Sequence, residues 1–210
     1  MGKRVELNSS AWFGDFPIFL DFPASWEITT IGGYTPSLSI EEMRGKLRNP
    51  IGSKPLSEIA GGKKRIIIIV DDITRPTPVE KVLPLILEEL REIGVSSNSV
   101  TVVMGGGTHA LPSKEEIGKK IGKDLSPLIN VLPHDPGKDL VYLGKTSRGT
   151  PIHLNRIISE SDFVIGVGCI YPHPAAGFSG GSKIIAPGVC GSETARHMHD
   201  YIRGGERGKI

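Results

Sequence analysis

The sequence has few cysteines, no surplus of charge and no long apolar run. Its only two cysteines, Cys169 and Cys190, are too few for a disulfide framework, so a reducing cytoplasm is the expected compartment. Lys and Arg number 25 against 23 Asp and Glu, a formal net charge of +2. Without a basic excess or an acidic tail, nucleic acid is not an expected partner. The longest apolar runs, such as Ile66–Val70, are far too short to cross a bilayer, so no membrane span is expected. The opening MGKRVELNSS has no apolar stretch of the secretory kind. Glu6 breaks the myristoylation pattern. What remains is ordinary for a globular protein: 38% hydrophobic and 23% charged residues in a chain of 210, enough for one large or two small domains. Glycine is the exception. Its 27 residues are roughly double the usual share of about 7%, and they cluster at Gly105–Gly107 and Gly177–Gly181, where backbone must approach something closely.

Hydrophobic periodicity lays out the elements. Ile18–Phe22 and Glu27–Ile31 read as short strands. Ser39 to Glu42 is a capping box opening a short helix that ends near Leu47. Arg65–Val70 is a β-branched run that predicts a strand buried on both faces. Val79, Val82, Leu83, Ile86, Leu87, Leu90 and Ile93 recur at spacings of three and four, an amphipathic helix closed by Gly94. Val100–Met104 is a second strand, and Ser113 to Glu116 caps a helix ending near Gly122. Asn130–Leu132, Leu140–Leu143 and Asp162–Ile170 are further strands, and a last helix starts at Ser192. This alternation predicts an α/β fold of Rossmann-like type, a mainly parallel sheet with helices on both faces.

In such sheets ligands bind beyond the carboxyl ends of the strands. Three loops fall there. Asp71–Pro78 carries two carboxylates, two threonines and Arg75, whose guanidinium suits a carboxylate or phosphate; the alternative on composition alone is a salt-bridged turn with Thr74 or Thr77 capping the next helix. Gly105–Ala110 fits the G-x-G-x-x-A dinucleotide pattern, although its helix starts late and no acidic residue follows at the right distance. It also offers His109, a group suited to proton transfer near neutral pH. Pro172–Lys183 joins His173 to a run of glycines, serines and Lys183 that resembles a phosphate cradle. His197 and His199 follow on a predicted helix, where residues two apart point to different sides.

Asp72-Ile73-Thr74-Arg75-Pro76, Gly107-Thr108-His109, Pro172-His173 through Gly177-Phe178-Ser179-Gly180-Gly181-Ser182-Lys183, and Ala186-Pro187-Gly188 together resemble the N-terminal domain of the nickel-pincer-dependent lactate racemases. Asn49–Gly52 and Gly149–Asn155 fit too, so the resemblance spans nearly the whole chain. It implies that residues 1–210 form one N-terminal, cofactor-binding domain whose partner, a C-terminal domain of similar size, lies outside this chain. It implies a nickel-pincer nucleotide, a pyridinium mononucleotide with two sulfur arms and nickel, covalently tethered to Lys183. His199, sixteen residues on, is the implied nickel ligand in preference to His197. Asp72, Ile73, Thr74 and Arg75 are implied cofactor contacts, with Arg75 also holding the carboxylate of a 2-hydroxy acid substrate. His109 and His173 are the implied acid/base pair. Racemising a 2-hydroxy acid through a keto acid moves a hydride from C2 and a proton from its hydroxyl, which calls for one base per enantiomer. Two other readings compete: a non-catalytic module binding an anionic nucleotide through the glycine loops, and an NAD-dependent dehydrogenase domain resting on the glycine pattern.

Overall fold

The computed structural model describes residues 2–8, 17–29, 37–173 and 176–203. The chain runs β1 (Lys3–Asn8), β2 (Pro17–Phe22), α1 (Ile40–Arg48), α2 (Leu56–Ile59), β3 (Ile66–Asp71), α3 (Val79–Glu92), β4 (Val100–Gly105), α4 (Lys114–Ile121) and β5 (Asn130–Pro133). It continues through β6 (Leu140–Lys145), β7 (Pro151–Asn155), α5 (Arg156–Ser159), β8 (Phe163–Val167), β9 (Pro172–His173), β10 (Gly177–Phe178) and α6 (Ser192–Arg203).

The centre is a four-stranded parallel sheet in the order β5-β4-β3-β8. β3 is buried along its whole length, because both of its faces are covered. Ile66, Ile68 and Val70 join Val100, Val102 and Met104 against Val79, Leu83, Ile86, Leu90 and Ile121 of α3 and α4. Ile67, Ile69 and Val103 point the other way, onto Ile158, Val189, Leu154 and Ile184. The second face is therefore covered by α5, the end of β7 and a 3₁₀ turn at Gly181–Ile184 rather than by a long helix. Each fully buried aliphatic side chain stabilises the fold by about 1.5–3 kcal/mol.

Local signals set the helix ends. Ser39 and Ser113 both form reciprocal capping boxes, with Glu42 and Glu116. Gly94 and Gly122 follow α3 and α4 at φ +81° and +102°, where a side chain would be strained. Pro84 lies inside α3; it removes one helical N–H without breaking the packed helix.

Some elements depart from the sequence reading. β7 was not predicted; it pairs antiparallel with β6 outside the central sheet. β8 ends at Val167, short of Ile170. Glu27–Thr29 form no strand, and Thr30 and Ile31 lie outside the described residues. β1 and β2 form a separate antiparallel hairpin, with an Arg4–Asp21 ion pair of 2.7 Å on its polar face.

The route β3-α3-β4-α4-β5 moves outward along the sheet in one direction. After the β6–β7 hairpin and α5 the chain returns and lays β8 on the opposite side of β3. The strand order reverses between β3 and β8, and a crevice opens beyond their carboxyl ends.

Candidate functional site

The three strand-end loops meet at that crevice. A cleft of about 180 Å³ is lined by Asp72, Arg75, His109, His173, Lys183 and His199, among others. A neighbouring hollow of about 240 Å³ shares His173, Lys183 and His199 with it, so these three side chains stand between two spaces. Ile73 does not reach the cleft; it lines a hollow on the far side of the loop with Leu38 and Met43.

The loop after β3 is held from beneath. Asp71, at the end of the strand, accepts a hydrogen bond from Thr77 Oγ1. It also pairs with Lys120 of α4 at 2.8 Å, both side chains being largely buried. Lys120 Nζ donates as well to the Arg75 carbonyl oxygen at 2.7 Å. One buried ammonium thus ties both ends of the turn that presents Arg75. The Arg75 guanidinium carbon sits 5.8 Å from the Tyr171 ring centroid, within cation–π range. Thr74 faces neither cleft nor solvent alone: its hydroxyl and its N–H both donate to Asp72 Oδ1.

The loop after β4 does not behave as a dinucleotide loop. α4 begins only at Lys114, so no helix N-terminus lies under the glycines. Instead Gly107 N–H donates to the Gly188 carbonyl at 2.8 Å, locking this loop to the third. A Cβ on Gly106 would lie 3.3 Å from Asp72 Oδ2, so a glycine here lets the loop close on that carboxylate. The closure sets His109 Nδ1 2.6 Å from Asp72 Oδ2.

The third loop folds back as the short β9–β10 ladder; Pro174 and Ala175 lie outside the described residues. Ser179 is buried and accepts the Tyr171 N–H at 3.2 Å, within reach of the Cys169 and Tyr171 carbonyls. It lines the cleft, but its hydroxyl is engaged in holding the turn. Gly180 and Gly181 have φ of +77° and +55° and lead into the turn carrying Lys183. Burial, and then the Arg75 charge, hold the Lys183 ammonium below its ordinary range. Burial, and then Lys183, Arg75 and His199, push the His173 imidazole down. Burial and one nearby cation favour the neutral, nucleophilic amine of Lys183.

α6 brings His199 to the cleft, and not His197. His199 Nδ1 lies 2.7 Å from the Ala195 carbonyl oxygen; a carbonyl only accepts, so Nδ1 carries the hydrogen and Nε2 keeps its lone pair. That is the form in which an imidazole ligates a metal. Among the described residues no group of three or more His, Cys, Asp or Glu could hold a metal ion. A metal here would take one imidazole from the chain and its other donors from a bound cofactor, which fits the donor set that the sequence resemblance implies.

The remaining histidines have other partners. His134 is buried, with Nε2 2.9 Å from the Cys190 carbonyl and Nδ1 3.0 Å from Asn155 Nδ2. His153 stacks near Tyr142 and pairs with Glu193 at 3.2 Å.

Residues 20–209 match the family described as lactate racemase N-terminal domain. The chain belongs to that family. It is 36% identical over 177 residues to the lactate racemase of Thermoanaerobacterium thermosaccharolyticum, covering 82% of this chain and 41% of that protein. It is 34% identical over 166 residues to the lactate racemase of Lactiplantibacillus plantarum, covering 77% and 39%. The solved lactate racemase apoprotein from T. thermosaccharolyticum superposes with a TM-score of 0.74 at 31% identity, over 92% of this chain and 45% of that one. A Thermotoga maritima structure shares the fold at a TM-score of 0.66 and 24% identity, over 79% of this chain and 41% of its own. The chain thus spans less than half the length of these curated relatives. Lys120 and Asp71 escaped the sequence reading as parts of the site. Asp71 was legible only as an acidic loop residue, and Lys120 as one of several lysines on an amphipathic helix.

Proposed function

We propose that this domain is the cofactor-binding half of a 2-hydroxyacid racemase of the lactate type. The observation that supports the reading most is the convergence of Arg75, His109, His173, Lys183 and His199 on one cleft at the sheet's switch point, in a chain of this family. The cofactor of the reading is a nickel-pincer nucleotide, tethered to Lys183 and ligated by His199 Nε2; when bound it supplies a reversible acceptor for the hydride of the substrate's C2. Every other role falls to the chain and to a second domain. Arg75 holds the substrate carboxylate with two parallel N–H donors. His109 and His173 address the hydroxyl of opposite enantiomers: one takes the hydroxyl proton as the carbonyl forms, the other returns a proton after the hydride comes back to the other face. The depressed Lys183 ammonium supports its role as the attachment point. We place the reaction in the cytoplasm, supported by the two unpaired cysteines. No described helix is long and apolar enough to cross a membrane.

The test is intact mass and nickel content of the chain co-expressed with the enzymes that make such a cofactor. The expected result is a mass adduct and nickel on the wild type and on Lys145→Ala, with the adduct absent from Lys183→Ala. An adduct of equal mass on Lys183→Ala removes the tether, and tight NAD binding without metal favours a dehydrogenase instead.

A further inference from the structure

Asp72 has both of its oxygens engaged by donors of its own chain. Oδ1 accepts the Thr74 N–H at 3.2 Å together with the Thr74 hydroxyl, and Oδ2 lies 2.6 Å from His109 Nδ1. The Asp72 side chain is 8% exposed, while His109 is 44% exposed toward the cleft. A carboxylate facing an imidazole nitrogen at this distance accepts the ring N–H.

We propose that Asp72 is the positioning residue of His109: it holds the hydrogen on Nδ1 and leaves a bare Nε2 toward the cleft as the proton-accepting atom. His173 is held differently. Its Nδ1 accepts the Ala176 N–H at 3.2 Å, which sets the hydrogen of the neutral ring on Nε2. The two histidines are then held unlike: at rest His109 presents a bare Nε2 and His173 an N–H. Gly106 leaves room for the first arrangement: a Cβ there would lie 3.3 Å from Asp72 Oδ2, tight enough to push that oxygen aside by a few tenths of an ångström. Thr74 gives it direction. Its two donors select which Asp72 oxygen faces the loop and which faces the ring.

That direction makes Asp72→Asn informative. The Thr74 donors keep the amide oxygen at the Oδ1 position, so the amide nitrogen takes the Oδ2 position facing His109. An amide nitrogen donates, so Nδ1 becomes its acceptor in preference to donating to the more distant Thr74 Oγ1 at 3.4 Å, and the ring hydrogen moves to Nε2, the atom that has to be bare. The racemase reading supports the consequence for rate; the position of the hydrogen does not depend on it.

The experiment records two-bond ¹H–¹⁵N histidine spectra of the ¹⁵N-labelled 210-residue chain, well above the ordinary histidine pKa of about 6.5, with His109 assigned from its loss in His109→Gln. The expected result is hydrogen on Nδ1 in the wild type and on Nε2 in Asp72→Asn. A wild-type His109 with its hydrogen on Nε2 overturns the proposal before any variant has to fold, and an unchanged pattern in folded Asp72→Asn overturns it too. In cofactor-loaded protein supplied with the second domain, Asp72→Asn is expected to lower kcat by about 10²–10⁴-fold, the range of lost acid–base help, with KM within severalfold. An unchanged kcat there also overturns it. A loaded wild type that fails to racemise overturns the functional reading alone and leaves Asp72 to the spectra.

Discussion

At the scale of single residues, histidines of one sequence take contrasting physical states. His109 and His173 line the cleft, and the proposed reaction uses each once per turnover. Alanine at either is expected to lower racemisation of the loaded two-domain protein by about 10²–10⁴-fold. The two enantiomers have equal free energy, so kcat/KM must fall equally in both directions; progress curves from each enantiomer check this, and a near-normal rate in either variant removes that histidine from the mechanism. His134 is the contrasting state. Burial holds its imidazole below the ordinary range, against a weaker opposing pull from the Cys190 carbonyl and Asp135. The unfolded chain therefore binds a proton near pH 6.5 that the folded chain resists, and folding stability falls as pH drops below about 6.5. The slope from one such group is at most about 1.4 kcal/mol per pH unit. Denaturant unfolding across this range should show a shallower acid slope in His134→Gln than in wild type; equal slopes would mean that His134 is not held neutral. The same burial pushes the Cys190 thiol up to about 11, which makes it an inert core group rather than a nucleophile.

At the scale of elements, α4 does more than cover the sheet. Lys120 crosses from it to the Asp71 carboxylate and the Arg75 carbonyl. Removing one partner of a buried ion pair typically costs about 3–5 kcal/mol, because the other charge is left uncompensated. Lys120→Met should show a loss of that order in urea unfolding, and adding Asp71→Asn should recover part of it, since the stranded charge is gone. If the double variant is no more stable than the single, the pair is not coupled. The turn before α6 is constrained by space. A Cβ on Gly188 would meet the Ile184 carbonyl oxygen at 2.2 Å, and the Gly188 carbonyl receives the Gly107 N–H. Gly188→Ala should therefore both destabilise the fold and lower cofactor attachment to Lys183, read by unfolding midpoint and intact mass. Attachment at the wild-type level in a destabilised variant would separate the turn from the site.

At the scale of the molecule, the two ends of the parallel sheet divide the work. The carboxyl ends of β3, β4 and β8 open onto the cleft. At the opposite end Asp162 accepts the Lys64 and Arg65 N–H groups, each at 2.9 Å, and joins the starts of β8 and β3. Those bonds hold its carboxyl below the usual carboxylate range. Asp162→Ala should lower the unfolding midpoint and leave the Lys183 adduct intact; a lost adduct at full folding would mean that the two ends communicate.

Patterns of three to fourteen residues were enough to read β3, β4, α3, both capping boxes and the glycine stops, because burial period, cap chemistry and backbone freedom are local properties. They also exposed the three loops and, through the motifs they carry, His109, His173, Lys183 and His199. β7 was not legible: it pairs outside the main sheet, and its Pro-Ile-His-Leu-Asn run has neither a clean alternation nor an unbroken apolar stretch. The preference for His199 over His197 came from resemblance, and only the helix's rotation against the cleft set one inside and the other out. The engagement of Asp72 with His109, 37 residues away, and of Lys120 with Arg75, 45 residues away, was decided by tertiary structure alone. A carboxylate's partner depends on which loop the sheet order brings beside it, and that order is fixed by packing both faces of β3 at once, not by any one segment of sequence.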